Sequence, residues 1–153
     1  MLASLPMYDR PENAGAHDAL WALVRDGLRA RGAEAPEALD RAVPHDQGWG
    51  RPDLVLGQIC NLPWRARFRD RVTVLGTADH DEGEAPGLYH SVMVARAEGL
   101  GPSPGFALND PLSNSGWDAP QEWARENGVA IRPALVTGSH AASVRAVAEG
   151  AAD

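Results

Sequence analysis

Two short stretches of this chain concentrate side chains that could hold an anion. Asp110-Pro-Leu-Ser113-Asn114-Ser115-Gly116-Trp117 sets two hydroxyls, an amide and a glycine close together, and Thr137-Gly138-Ser139-His140 has the same character. Each follows an apolar run and precedes a helical pattern, so each reads as a strand-to-helix turn. The first turn of a helix presents N–H groups without intrahelical acceptors and the positive end of the dipole, a setting that suits charged oxygen. Ser and Asn side chains add donors, and Gly116 lets a ligand approach the backbone. The plainer role is an N-cap, Ser113 or Ser115, with Asp118 three residues after Ser115 completing a capping box. Two such turns in consecutive strand–helix units open at the same edge of a parallel sheet. There they could converge on one tetrahedral oxyanion.

Other reactive residue types form weaker patterns. His17, His45, His80, His90 and His140 lack metal-ligand spacing, and His80-Asp-Glu82 reads as a solvated loop. The single cysteine, Cys60, excludes an intrachain disulfide framework and a multi-Cys zinc site. All 14 basic residues are Arg, which excludes Schiff-base catalysis through Lys and a Walker-type phosphate loop. Arg65, Arg67, Arg69 and Arg71 spread around a helix as surface charge. No cofactor and no metal is expected.

The elements that must position these residues alternate between strand and helix. Leu2–Met7 reads as a strand. A helix runs from Pro11 to Arg31, with Leu20, Leu23, Val24, Gly27 and Leu28 on one face and Gly32 as its stop. A short helix is expected over Glu37–Ala42, a strand at Asp53–Gly57, a helix over Leu62–Arg69 and a strand at Val72–Gly76. The polar stretch Asp79–Gly87 marks a boundary between a lobe at 1–86 and a second at 87–153. In the second lobe, strands are expected at Tyr89–Ala95, from Phe106 to Leu108 and at Ile131–Val136. One helix ends at Asn127 before Gly128, and a last helix after His140 presents Val144, Val147 and Ala148. This is an α/β pattern with mostly parallel sheets flanked by helices. The final strand is missing or supplied by a partner, such as a second copy covering the open sheet edge.

The chain has 153 residues, 44% hydrophobic, and a formal net charge of −7, composition that fits a folded domain or two small lobes. That charge gives no general attraction for nucleic acid or anionic lipid. No apolar run approaches the roughly 18 residues of a membrane span, and the N-terminus lacks the basic region of a signal peptide.

Pro86-Gly-Leu-Tyr-His-Ser-Val-Met-Val94, Asn109-Asp-Pro-Leu-Ser-Asn-Ser-Gly116 and Gly138-Ser-His140 with Ala146-Val-Ala-Glu-Gly-Ala-Ala-Asp153 together resemble the phosphate/phosphite/phosphonate-binding proteins of ABC transporters. The likeness is clearest over 86–153. It implies a two-lobed type II periplasmic-binding-protein fold, a periplasmic location, a small phosphorus oxyanion as ligand and an ABC transporter permease as partner. It also implies that Ser113, Asn114 and Ser115 grip phosphoryl oxygens, beside Gly116 and Ser139. Tyr89 would donate its phenol and His140 would contact the anion. Asn114 stands where Thr is common, and the segment 43–52 is shorter than usual; Tyr8 or Gln58 would line the first lobe. The expectation is therefore a binder and not an enzyme. The alternatives are a cytoplasmic sensor or scaffold domain of the same fold, favoured by the lack of an export signal, and a hydrolase using Ser115 and His140. The hydrolase lacks a Gly-x-Ser-x-Gly elbow.

Overall fold

The computed structural model describes residues 1–79, 85–96 and 100–153. It is a mixed α/β structure that divides by its contacts into two units. One comprises Met1–Cys60 with Trp64–Thr73, the other Asn61–Pro63 with Val74–Asp153. The stretch Asp79–Gly87, with its His80-Asp-Glu82 triplet, falls partly outside the described residues.

In the first unit, β1 (Leu2–Ser4) pairs in parallel with β2 (Leu54–Gly57). The backbone bonds Leu2 N–H to Asp53 O at 2.8 Å and Gln58 N–H to Ser4 O at 3.1 Å close the two ends of the pair. On the other side of β1, Asp40 N–H donates to Ala3 O at 2.8 Å. A 3₁₀ turn (Pro11–Asn13) leads into α1 (Ala14–Ala30). The Asn13 amide braces this entry, accepting from Arg10 N–H at 2.8 Å and donating to Tyr8 O at 2.9 Å. Gly32, at φ +79°, turns the chain out of the helix in the left-handed conformation that glycine tolerates best. Ala3, Leu5, Trp21, Ala35 and Leu39 form the core, flanked by Val24, Leu28, Val55 and Leu56.

Several expected elements are altered here. β1 ends at Ser4, because Pro6 opens a turn and carries no N–H for a ladder. The buried stripe of α1 centres on Trp21 with Val24 and Leu28, while Leu20 and Leu23 are exposed. The indole dominates because it offers the largest apolar surface on that side of the cylinder. No helix forms over Glu37–Ala42. The Asp40 carboxylate instead accepts from Ala42 N–H at 2.9 Å and Val43 N–H at 2.8 Å, a local turn that competes with helix. A single turn, α2 (His45–Gly48), follows. Further on, α3 (Asn61–Pro63) continues as a π-helical turn over Trp64–Phe68. Arg71 is partly committed within the fold: it donates to Gly50 O at 2.9 Å and lies 5.5 Å above the Phe68 ring.

In the second unit, β3 (Gly105–Leu108) pairs in parallel with β4 (Arg132–Val136). A π-helical turn (Asn114–Asp118) runs directly into α4 (Ala119–Glu126), and α5 (His140–Ala148) follows β4. Ala107, Ala146 and Ala152 make a small core with Val147. Asp153 joins the start of β3 through its own N–H to Gly105 O at 2.9 Å and through Gly105 N–H to its carboxylate at 2.8 Å.

The strands expected at Val72–Gly76 and Tyr89–Ala95 do not form. A strand is stable only beside a neighbour that completes its ladder, and neither segment has one among the described residues. Leu75 and Val92 are correspondingly exposed.

Arg51 grips Asp53 through two nitrogens, each at 2.8 Å, and the Met1 ammonium adds a contact at 3.0 Å. These partners, Arg51 first, hold the Asp53 carboxyl well below the usual carboxylate range. A depressed value in the folded state means stability that is present at neutral pH. It is lost as pH falls from the ordinary value, about 3.9, through the folded one. Asp53→Asn is expected to melt below the parent at pH 7, with the gap closing in acid; a gap that persists unchanged in acid melting curves contradicts the assignment.

Candidate anion site

Parallel pairing of β3 with β4 sets the ends of both strands at one level. Thr137 N–H donates to Leu108 O at 2.9 Å and Gly138 N–H to Asn109 O at 3.0 Å, which carries the registration past the strands themselves. The Thr137 hydroxyl lies within hydrogen-bond distance of Leu108 O at 3.2 Å, Ser139 O at 3.0 Å and the Ser143 hydroxyl at 2.7 Å. The helices that follow therefore begin beside each other.

Ser113 is the N-cap of the first helix. It is buried, and its hydroxyl accepts from Gly116 N–H at 3.0 Å. Ser139 caps α5, accepting from Ala142 N–H at 3.2 Å. These contacts use acceptor lone pairs and leave each hydroxyl proton to donate elsewhere. The Ser115 hydroxyl and His140 Nε2 meet at 3.3 Å across the two turns, although 25 residues separate them in sequence. Asn114 stands between the two serines in the same half-buried turn. Trp117 lies with its ring centre 5.9 Å from that of Phe106, a tilted aromatic pair that ties the helix start to β3.

Gly116 is required for space. A Cβ there would collide with Asn109 Oδ1 and come within 3.0 Å of the Ser113 hydroxyl. Asn109 Oδ1 is itself buried with no hydrogen-bond partner. Asn109 and Thr137 head the two stretches read from the sequence, but no role is expected for either residue there. The available signal was their position: each directly follows the apolar run of a strand, where a side chain reaches the strand's carboxyl end.

The remaining expected ligands are distributed elsewhere. Tyr89 belongs to the second unit and is exposed on a segment without strand structure. Tyr8 and Gln58 belong to the first unit, where Gln58 Oε1 accepts from Met7 N–H at 3.3 Å. Among the described residues, no group of three His, Cys, Asp or Glu side chains could hold a metal ion, and no helix is long and apolar enough to cross a membrane. In comparisons with known proteins, the chain matches no family model, no curated protein and no solved structure.

The helix start depends on two contacts that denaturation can weigh. Gly116→Ala is expected to cost about 1–3 kcal/mol through overpacking against Asn109. Ser113→Ala is expected to cost about 1 kcal/mol by leaving the Gly116 amide without its cap. Urea unfolding of both variants checks this, and parental midpoints for both would remove Gly116 and Ser113 from the scaffold of the site.

Proposed function

We propose that this chain captures a small tetrahedral phosphorus oxyanion, phosphate or phosphonate, as the binding component of an ABC-type transport system. The reading is carried by one observation: Ser115 and His140 meet at 3.3 Å where two helices begin after neighbouring parallel strands. An anion at that edge would receive the Ser115 hydroxyl, the imidazole, and backbone N–H groups of the first turns. Charge-assisted bonds of this kind are shorter and stronger than neutral ones. Helix starts act locally, so an overall charge of −7 does not oppose binding there. The motif resemblance supports the same ligand class and a two-lobed periplasmic-binding fold. The presence of two α/β units, each with one parallel strand pair, is in keeping with it.

Binding should be read from thermal stability. A ligand at 100 times its dissociation constant stabilises the folded state by about 2.7 kcal/mol. Phosphate, phosphite, methylphosphonate and 2-aminoethylphosphonate are expected to raise the melting temperature, and sulfate is not. Ser115→Ala should weaken the best of these by about 1.5–3 kcal/mol, measured by calorimetric titration. No shift with any phosphorus oxyanion would overturn the reading.

The same contact favours a second reading, a hydrolase in which His140 draws the proton from the Ser115 hydroxyl. His140 has no carboxylate within ion-pair distance among the described residues to orient it, which places this reading behind the first. Incubation with p-nitrophenyl acetate separates the two. Acetylation of Ser115, seen by mass spectrometry and absent in Ser115→Ala, would favour the hydrolase; an unmodified serine leaves the binder.

A further inference from the structure

The first unit holds a hollow of about 360 Å³ at the carboxyl end of β1, between the entry to α1 and the segment that follows Asp40. That volume is within the range of small-molecule sites. Its lining combines apolar surface, from Leu5, Pro6, Val43 and Pro44 among others, with the polar residues Ser4, Asp9, Arg10, Asp40, Arg41 and His45.

The polar residues differ in what they have left to offer. The Asp9 carboxylate accepts from Arg41 at 2.7 Å, and Arg41 also pairs with Asp18 at 2.9 Å and reaches Ala14 O at 3.3 Å. Asp40 is occupied by the amides of Ala42 and Val43. Both acids and one of the two arginines are thus committed. The Arg10 guanidinium has no hydrogen-bond or ion-pair partner among the described residues, and neither has the His45 ring, which lies 5.0 Å from Trp49. Ser4 is only 8% exposed, yet its hydroxyl bonds to no described residue. Its proton is available to a ligand in the hollow.

We propose that this hollow binds a small organic carboxylate. Arg10 takes the carboxylate as a fork of donors, the Ser4 hydroxyl donates to the same head group from the floor, and the proline and valine wall covers an apolar body. A bare inorganic anion would leave that wall unmatched. The committed pairs Asp9–Arg41 and Asp40 with its two amides hold the walls in shape and take no part in recognition. This site does not depend on the anion site of the second unit.

Titration of benzoate into the ¹⁵N-labelled full chain tests the proposal. Saturable shifts are expected at the amides of residues 4–14 and 40–45, in the millimolar range or tighter. Arg10→Gln should weaken benzoate about ten-fold or more, and Ser4→Ala about three-fold, with Arg10→Lys recovering part of the loss. Spectra of the unliganded variants that overlay the parent's elsewhere confirm that the fold is intact. The proposal is overturned by the absence of saturable shifts in those two segments, by equal binding in Arg10→Gln, or by inorganic phosphate competing there as well as benzoate.

Discussion

Two backbone hydrogen bonds, Thr137 N–H to Leu108 O and Gly138 N–H to Asn109 O, hold the carboxyl ends of β3 and β4 at one level. Each strand leads into its own helix, so this registration decides where both helices begin. Without it, Ser115 and His140 would have no reason to meet, because nothing local links them. The Thr137 side chain reinforces the same junction by touching the end of β3 and the first turn of α5 together. The meeting of the two turns follows from parallel pairing, and the caps Ser113 and Ser139 refine it.

What was legible in the sequence divides along physical lines. Local signals carried well: Gly32 and Gly128 leave their helices at positive φ, and apolar runs with capping residues marked β3, α4, β4 and α5. Signals that depend on a neighbour carried poorly. Val72–Gly76 and Tyr89–Ala95 have strand-like composition, but strand structure belongs to a pair of segments and cannot be assigned to either alone. On α1 the spacing finds Val24 and Leu28 but rotates the face toward Leu20 and Leu23, because periodicity weights every apolar residue alike while the large Trp21 side chain dominates burial. The candidate site was legible as two turns with anion-binding character. The 3.3 Å contact between Ser115 and His140, and the role of Asn109 beneath Gly116, required the tertiary arrangement.

The first unit distributes charge differently from the second. With no lysine in the chain, every basic side chain is a planar fork, and several are used as clamps between segments distant in sequence. Arg25 and Arg29 both reach Glu37, and Arg41 gathers Asp9 and Asp18 with a carbonyl of α1. Exposed pairs of this kind contribute little stability one by one. Their clearer effect is to fix the irregular chain between α1 and α2, which has few backbone bonds of its own. Of the two arginines that line the hollow, Arg41 is committed in this way and Arg10 has no partner among the described residues.

The contact between Gly116 and Asn109 bears on how this turn could diversify. The two positions share a single small volume, so a side chain at 116 is admissible only after residue 109 has become smaller. The reverse order passes through an intermediate that is overpacked at the start of a helix. Sequence change here is therefore directional, and the two sites would be inherited as a linked pair. A lineage that first shortened residue 109 would open a route to new side chains packed beneath the helix start, which is closed to any lineage that retains asparagine.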